Sequence, residues 1–178
     1  MINKLSLMKL KLILDEQGNV FVNKKHAQKL IEQGYGFVEG DYLKLEDYEA
    51  LYLIFKNLAS LFHGEREMSF DEAIEYFIKK DKRVWERFLV YMKLRERNYI
   101  VRKGYGDQYD FLLYEKGSSF DKEAPQYIVS IVHEGKSLEM NKLNEMLAFA
   151  MRMRKKIIFA VIDSNSDVSF YEASKISL

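Results

Sequence analysis

The densest group of chemically useful side chains is a basic cluster near the end of the chain. Arg152, Arg154, Lys155 and Lys156 place four cations within five residues, with no acidic residue among them. Cations at the C-terminal end of a helix interact favourably with the helix dipole. The same charges are also suited to contact the phosphates of a nucleic acid. The residue types alone leave these two interpretations equally weighted.

A second pattern is a loose match to metal-dependent nucleases. Asp110 is followed much later by Glu134-Gly-Lys136, as in the D…ExK arrangement, where two carboxylates hold a divalent ion and a lysine orients the attacking water. Glu134 and Gly135 are predicted to lie in the loop after a strand, which would aim the Glu134 side chain away from Asp110. The favoured interpretation of this segment is therefore a solvated turn without a metal. The three histidines are far apart and lack metal-ligand spacing. We therefore expect neither a metal nor a cofactor.

The composition excludes several classes of protein. The chain has 178 residues, with 28 Lys and Arg against 27 Asp and Glu, so its net charge of +1 excludes a polycation that binds nucleic acid through bulk charge. The absence of cysteine excludes a disulfide framework. Hydrophobic residues make up 48% of the chain, which is enough for a folded core. No apolar run reaches the roughly 18 residues of a membrane helix, and we expect a cytoplasmic protein.

The first half of the chain predicts a mixture of strands and helices. Apolar alternation and turn residues predict a hairpin with strands at 10–14 and 20–22, a short helix over 24–33, a second hairpin around Gly40-Asp41 and a helix over about 45–62. Ser69, with Glu72 three residues later, is a capping box that opens a helix ending at Lys80, and Asp81 caps the next helix.

The second half has a different pattern. It predicts strands at 99–101, 109–114 and 127–132, a helix starting at Ser137, and strands at 157–162 and 168–172. This order indicates a mixed sheet crossed by one helix. We therefore predict an α/β (α+β) protein with a small N-terminal mixed α/β domain (residues 1–94) and a C-terminal domain (residues 95–178).

From Leu94 onward, the sequence resembles the tRNA-splicing endonuclease (tRNA-intron endonuclease) family of archaeal type. The matching segments are LRERNYIVRKG (94–104), DFLLYEKG (110–117), APQYIVSIV (124–132), MRKKIIFAVID (153–163) and DVSFYE (167–172). Their order and spacing fit the family over about 80 residues. In the first half, YEALYLIF (48–55) matches more loosely. The resemblance implies the two-domain fold of this family's subunits.

The resemblance also implies a reaction and three roles. Family members cleave precursor tRNA at a bulge-helix-bulge without a metal, using a tyrosine as general base, a histidine as general acid and a lysine that stabilises the charged transition state. The tyrosine falls on Tyr114 and the lysine on Lys155. The histidine position, three residues before Tyr127, is occupied by Ala124. Ala148 stands where we expect an arginine that grips a bulged base.

These departures lead to the hypothesis of a structural, non-catalytic subunit. The resemblance implies a heterotetramer with a catalytic subunit as partner and precursor tRNA as substrate. One alternative is a self-sufficient, metal-independent ribonuclease that uses Tyr114 and Lys155. Another is a metal-dependent nuclease that uses Asp110, Glu134 and Lys136. A further alternative is an RNA-binding or assembly module unrelated to splicing.

Two surfaces are predicted to contact other molecules. The predicted RNA contacts are Arg152, Arg154 and Lys156. The resemblance implies that subunits meet through the last strand and through the acidic loop before it. The predicted interface residues are Asp163, Asp167, Val168 and Phe170.

Overall fold

The computed structural model describes residues 9–119 and 121–174, which form two compact units. Unit 1 contains residues 9–31 and 36–84, and unit 2 contains residues 32–35 and the described residues from 85 onward. The structure thus divides the chain after Val84, and the boundary that we predicted after residue 94 falls inside unit 2. Within the described ranges, no helix is both long enough and apolar enough to cross a membrane.

Unit 1 is built on a six-stranded mixed sheet with the strand order β3-β4-β2-β1-β5-β6. Its strands are β1 (Leu10–Leu14), β2 (Val20–Asn23), β3 (Phe37–Glu39), β4 (Tyr42–Leu45), β5 (Ala59–His63) and β6 (Arg66–Met68). Its helices are a 3₁₀ turn (Lys24–His26), α1 (Gln28–Glu32), α2 (Asp47–Phe55) and α3 (Phe70–Lys80). The predicted hairpins β1–β2 and β3–β4 are confirmed, and so is the capping box of Ser69 and Glu72.

One predicted helix of unit 1 is wrong in its second half. We expected a helix over 45–62, but α2 ends at Phe55 and residues 59–63 form β5. Asn57 adopts a left-handed conformation with φ 60°, which ends the helix because a right-handed helix cannot continue through it. The following strand pairs in parallel with β1, with Leu61 opposite Leu12. This distant pairing decides the conformation of an apolar run that fits a helix equally well locally.

Unit 2 is a five-stranded mixed sheet between two helices, with the strand order β11-β10-β9-β8-β7. Its strands are β7 (Val101–Lys103), β8 (Phe111–Leu113), β9 (Tyr127–His133), β10 (Lys156–Ile162) and β11 (Val168–Ala173), and its helices are α4 (Val84–Glu96) and α5 (Met140–Arg152). The chain passes from β9 through α5 into β10, which is parallel to β9. Helix α5 begins at Met140, not at the predicted Ser137.

The core of unit 2 lies on both faces of its sheet. On one face, Met146 and Leu147 of α5 pack against Ile128 and Ile157. On the other face, the Tyr91 ring of α4 lies 6.2 Å from that of Phe111. A sheet covered on both faces needs apolar residues at successive positions. The predicted α/β fold, with a mixed sheet crossed by one helix, is confirmed.

Candidate functional site

The predicted catalytic positions lie at one end of the unit 2 sheet. Strand β8 ends there, and β9, which is antiparallel to β8, begins there. Strand β10 is parallel to β9 and therefore begins at the same end. Tyr114 directly follows β8, Ala124 lies shortly before β9, and Lys155 directly precedes β10. The topology therefore places residues that are far apart in the sequence at one sheet end.

Tyr114 is held in the body of unit 2. Its backbone N–H donates to the Ile100 carbonyl at 3.1 Å, and only 8% of its surface is exposed. Burial raises the pKa of the Tyr114 phenol above its ordinary value, and the positive charge of Arg102 offsets part of this shift. A phenol that accepts a proton must first be ionised. The environment of Tyr114 therefore disfavours the form that a general base requires.

The segment that carries Ala124 is tied to both neighbouring strands. The Gln126 N–H donates to the Leu113 carbonyl at 3.0 Å, and the Gln126 carbonyl accepts from the Lys156 N–H at 3.0 Å. Ala124 itself is exposed. Its methyl group can neither donate nor accept a proton, so residue 124 supplies no acid at this position.

Lys155 is placed by the way helix α5 ends. The Arg154 N–H donates to the Met151 carbonyl, and the Lys155 N–H donates to the Ala150 carbonyl, both at 2.9 Å. These two bonds make a Schellman motif, with Arg154 in the left-handed conformation at φ 53°. The motif turns Lys155 toward the start of β9, where its ammonium group donates to the Pro125 carbonyl at 2.6 Å.

The site therefore contains a fixed cation, a buried phenol and an alanine. Lys155 lies half-buried. Its ammonium group is hydrogen-bonded to the carbonyl of Pro125, the residue that follows Ala124. A cation held this way can stabilise negative charge on a phosphate oxygen. Proton transfer to a leaving oxygen needs another group, because neither the Ala124 methyl nor the Pro125 carbonyl can donate a proton.

The other residues of the basic cluster differ in their partners. Lys156 forms an ion pair with Glu172 at 3.0 Å, and this hydrogen-bonded pair raises the pKa of Lys156. Arg152 and Arg154 are exposed. Neither of them forms an ion pair with any residue in the ranges that the structure describes. The two arginines are therefore the cluster members most available to an external anion.

The residues of the D…ExK pattern are not arranged as a metal site. Asp110 is 4% exposed, and its carboxylate accepts from Arg87 Nε at 3.1 Å and from the Ile131 N–H at 2.9 Å. Glu134 and Lys136 lie in the turn after β9 and are exposed. Among residues 9–119 and 121–174, no three acidic or histidine side chains converge in a way that could hold a metal. The buried Asp110–Arg87 pair, which we did not predict, joins α4 to the sheet.

The predicted interface residues lie in β11 and in the loop before it. The Asp163 carboxylate accepts from the N–H groups of Asn165 and Asp167 at 2.8 and 2.9 Å, and so closes this loop. Val168 is 8% exposed and pairs with Ile162 of β10. The guanidinium of Arg97 lies 4.8 Å from the centre of the Phe170 ring.

Sequence reasoning missed the most exposed large side chain of β11. Tyr171 is 59% exposed, and we predicted it only as part of the last strand. Strand β11 is also at the edge of its sheet, where it pairs with β10. The available signal was the period-two pattern of β11, which places Tyr171 on the opposite face of the strand from its neighbours Phe170 and Glu172.

The sequence matches known families along both units. The model for the tRNA intron endonuclease N-terminal domain matches residues 14–74. The model for the tRNA intron endonuclease catalytic C-terminal domain matches residues 84–170.

Relatives with similar sequences are found in archaea. A tRNA-splicing endonuclease of Methanococcus maripaludis is 31% identical over 166 residues, which cover 93% of each chain. A tRNA-splicing endonuclease of Pyrococcus furiosus is 33% identical over 151 residues, which cover 85% of this chain and 84% of the relative. With both domains matched and nearly the whole chain aligned, the protein belongs to the tRNA intron endonuclease family.

Proposed function

We propose that this chain is a structural, non-catalytic subunit of a heteromeric tRNA-splicing endonuclease that excises introns at bulge-helix-bulge sites of precursor tRNA. The observation that carries the proposal is Ala124, which stands between Tyr114 and Lys155 where the family resemblance implies a general acid. Loss of a general acid typically slows a reaction by about 10²- to 10⁴-fold. The catalytic histidine must then come from another chain.

The proposal gives the other two positions structural roles. Burial raises the pKa of Tyr114, which works against its ionisation. The ammonium group of Lys155 donates to the Pro125 carbonyl, and this bond fixes the segment before β9. In this proposal, Tyr114 and Lys155 are kept because they hold the end of the sheet together.

A second chain would bind at the edge strand of unit 2. Backbone N–H and C=O groups on the outer side of an edge strand are available to pair with another strand. Strand β11 offers such an edge and carries the exposed Tyr171. The proposed partner is a catalytic subunit in a heterotetramer, and the acids Asp163 and Asp167 lie in the adjoining loop.

The proposed RNA contacts of unit 2 are Arg152 and Arg154, with Lys156 in a lesser role. Phosphate contacts need cations that are exposed and not already neutralised. Both arginines meet this condition, whereas Glu172 neutralises Lys156. Contact with RNA by this chain would orient the substrate for cleavage by the partner.

The test is RNA cleavage by the purified chain, alone and mixed with a histidine-bearing endonuclease chain from the same cell. The substrate is a bulge-helix-bulge RNA, assayed with Mg²⁺ and with EDTA. We expect no cleavage by the chain alone and EDTA-resistant cleavage by the mixture. Cleavage by the chain alone overturns the proposal: EDTA-resistant cleavage would identify a self-sufficient ribonuclease, and EDTA-sensitive cleavage a metal-dependent nuclease.

A further inference from the structure

One face of the unit 1 sheet carries aromatic rings and lysines. Side chains alternate between the two faces of a strand, and Leu12, Val20 and Leu43 are fully buried on the inner face. The outer face carries a continuous group, which we term the aromatic–lysine face. It consists of Lys11, Phe21, Phe37, Tyr42, Lys44 and Phe62, with the exposed Ile13 between Phe21 and Phe62.

The strand register places these residues side by side. Lys44 lies opposite Phe21 on one neighbouring strand and opposite Phe37 on the other. The Phe21 and Tyr42 rings are 6.3 Å apart, centre to centre. The Lys44 ammonium lies 5.8 Å from the centre of the Phe21 ring. Phe37, Lys44 and Phe21 therefore form a row of ring, cation and ring across three adjacent strands.

Much of this face remains accessible to solvent. Tyr42 is 45% exposed and Phe37 is 43% exposed, while Phe21 and Phe62 are half-buried. At the other end of the face, the Lys11 ammonium lies 4.7 Å from the centre of the Phe62 ring. A contiguous exposed group of large rings usually marks a surface that binds another molecule.

Positive charge continues beyond the edge of this face. Lys24 and Lys25 line an open cleft together with Asn23 and Tyr42. Both lysines are exposed, and neither forms an ion pair within the part of the chain that the structure describes. We term Lys24 and Lys25 the lysine rim.

Acidic residues also lie on or beside this surface, but they are fewer than the lysines. Glu39 lies 4.0 Å from Lys44, Glu67 is opposite Phe62, and Asp41 lines the cleft. Four lysines thus face three acids, and only Lys44 among the four is paired with a described acid. The surface therefore favours a ligand that carries negative charge and also offers flat apolar rings.

We propose that the aromatic–lysine face and the lysine rim bind an unpaired stretch of the precursor RNA. Bases of single-stranded RNA stack on aromatic side chains while their phosphates lie against cations. A duplex hides its bases and cannot use the rings in this way. The inference rests on membership of an RNA endonuclease family, and it holds whether or not this chain cleaves RNA.

The test measures binding of the full chain to a fluorescent single-stranded RNA of about 12 nucleotides, with an RNA duplex of the same length for comparison. We expect the single strand to bind more tightly. Tyr42→Ala and Phe37→Ala should each weaken binding about tenfold, because a base loses its stacking partner. Tyr42→Phe keeps a ring and should bind like the wild type.

The lysines are tested through the salt dependence of binding. Lys11→Gln and Lys24→Gln should each lower the slope of log K against log salt by about 0.7, the value for one phosphate contact with a single strand. The matched controls are Phe55→Ala and Lys79→Gln, which alter exposed side chains on α2 and α3 of the same unit. Both controls should leave affinity and salt slope unchanged.

Two outcomes would overturn the inference. The first is wild-type affinity for the single strand in both Tyr42→Ala and Phe37→Ala, with folding verified by circular dichroism. The second is a change in sedimentation mass in these variants without a change in RNA affinity, which would show that the face binds another protein chain.

Discussion

In the proposed function, residue 124 decides whether this chain can donate a proton to the leaving oxygen. The Ala124 methyl lies one residue from the carbonyl that binds Lys155, so the cation that the family resemblance assigns to the transition state remains near this position. The Ala124 side chain itself has no ionisable group that could protonate a leaving oxygen. In the proposed function, this one side chain separates a site that can hold a phosphate from a site that can complete the reaction.

The titration of Tyr114 tests this account at the same scale. Burial favours the neutral phenol, so we expect Tyr114 to ionise above its ordinary pKa of 10.0. Because the folded state holds this proton more tightly than the unfolded state, the stabilising contribution is present below pH 10 and is lost as pH rises further. The measurement is the phenolate absorbance of the wild type minus that of Tyr114→Phe across the alkaline range.

A midpoint below 10.0 in this difference titration would contradict the description of Tyr114. It would mean that the site stabilises the phenolate, as expected for an active general base. Tyr171→Phe is the matched control, because Tyr171 is exposed. The wild-type absorbance minus that of Tyr171→Phe gives the titration of a phenol in contact with solvent.

At the scale of the element, helices α2, α4 and α5 end in the same motif. In each, the residue after the C-cap adopts a left-handed conformation, and these residues are Asn57, Asn98 and Arg154. Asparagine tolerates this conformation better than other residues with side chains. Arginine does not, so the end of α5 beside Lys155 is strained. Strain retained at such a position is consistent with a functional role for the arginine side chain.

We predict that Arg154→Gly stabilises the protein while weakening its binding to RNA. Glycine adopts φ 53° without a steric penalty, so the free energy of unfolding should rise by about 0.5–1 kcal/mol. The loss of an exposed cation should at the same time lower affinity for bulge-helix-bulge RNA. Urea denaturation and RNA binding to the same preparation measure the two effects.

Asn98→Gly is the matched control for this prediction. It relieves less strain and lies at the end of α4, so we expect a smaller stability gain. A fall in stability in Arg154→Gly would contradict the assigned helix ending. Unchanged RNA affinity would remove Arg154 from the proposed contacts.

The elements also show how far the sequence alone can predict the structure. Helix α3 was predictable because Ser69 and Glu72 form a local capping signal. Strands β9 to β11 were predictable because their apolar runs are bounded by turns. Strand β5 was not predictable, because the pairing of Leu61 with Leu12 is a distant contact that local periodicity does not encode.

The candidate site was predictable in part. Family spacing singled out Tyr114, Ala124 and Lys155, and the sheet places them at one end. The bond from Lys155 to the Pro125 carbonyl was not predictable, since it depends on how α5 ends and how the loop lies. The pairing of Lys156 with Glu172 was missed because the two residues meet only when β10 and β11 pair.

At the scale of the whole molecule, a net charge of +1 conceals local clusters of positive charge. Unit 2 carries the exposed arginines at the end of α5 and the edge strand β11. Unit 1 carries the aromatic–lysine face. A near-neutral average suits a chain that contacts RNA at limited patches and other subunits elsewhere. The proposed role is to bind and orient RNA that a partner chain cleaves.

The most direct test of this role is intron cleavage by a complex of this chain and the proposed histidine-bearing partner, with Tyr114→Phe and Lys155→Met introduced into this chain only. Sedimentation mass verifies that the variant complex assembles. The matched complex carries the corresponding tyrosine and lysine substitutions in the partner, where we expect losses of about 10²- to 10⁴-fold.

We predict that the complex with both substitutions in this chain cleaves the bulge-helix-bulge RNA within about threefold of the wild-type rate. The reason is that a structural subunit makes no interaction with the substrate that forms only in the transition state. A loss of about 100-fold or more in kcat in the correctly assembled complex would contradict the account, because it would place Tyr114 and Lys155 in the catalytic machinery.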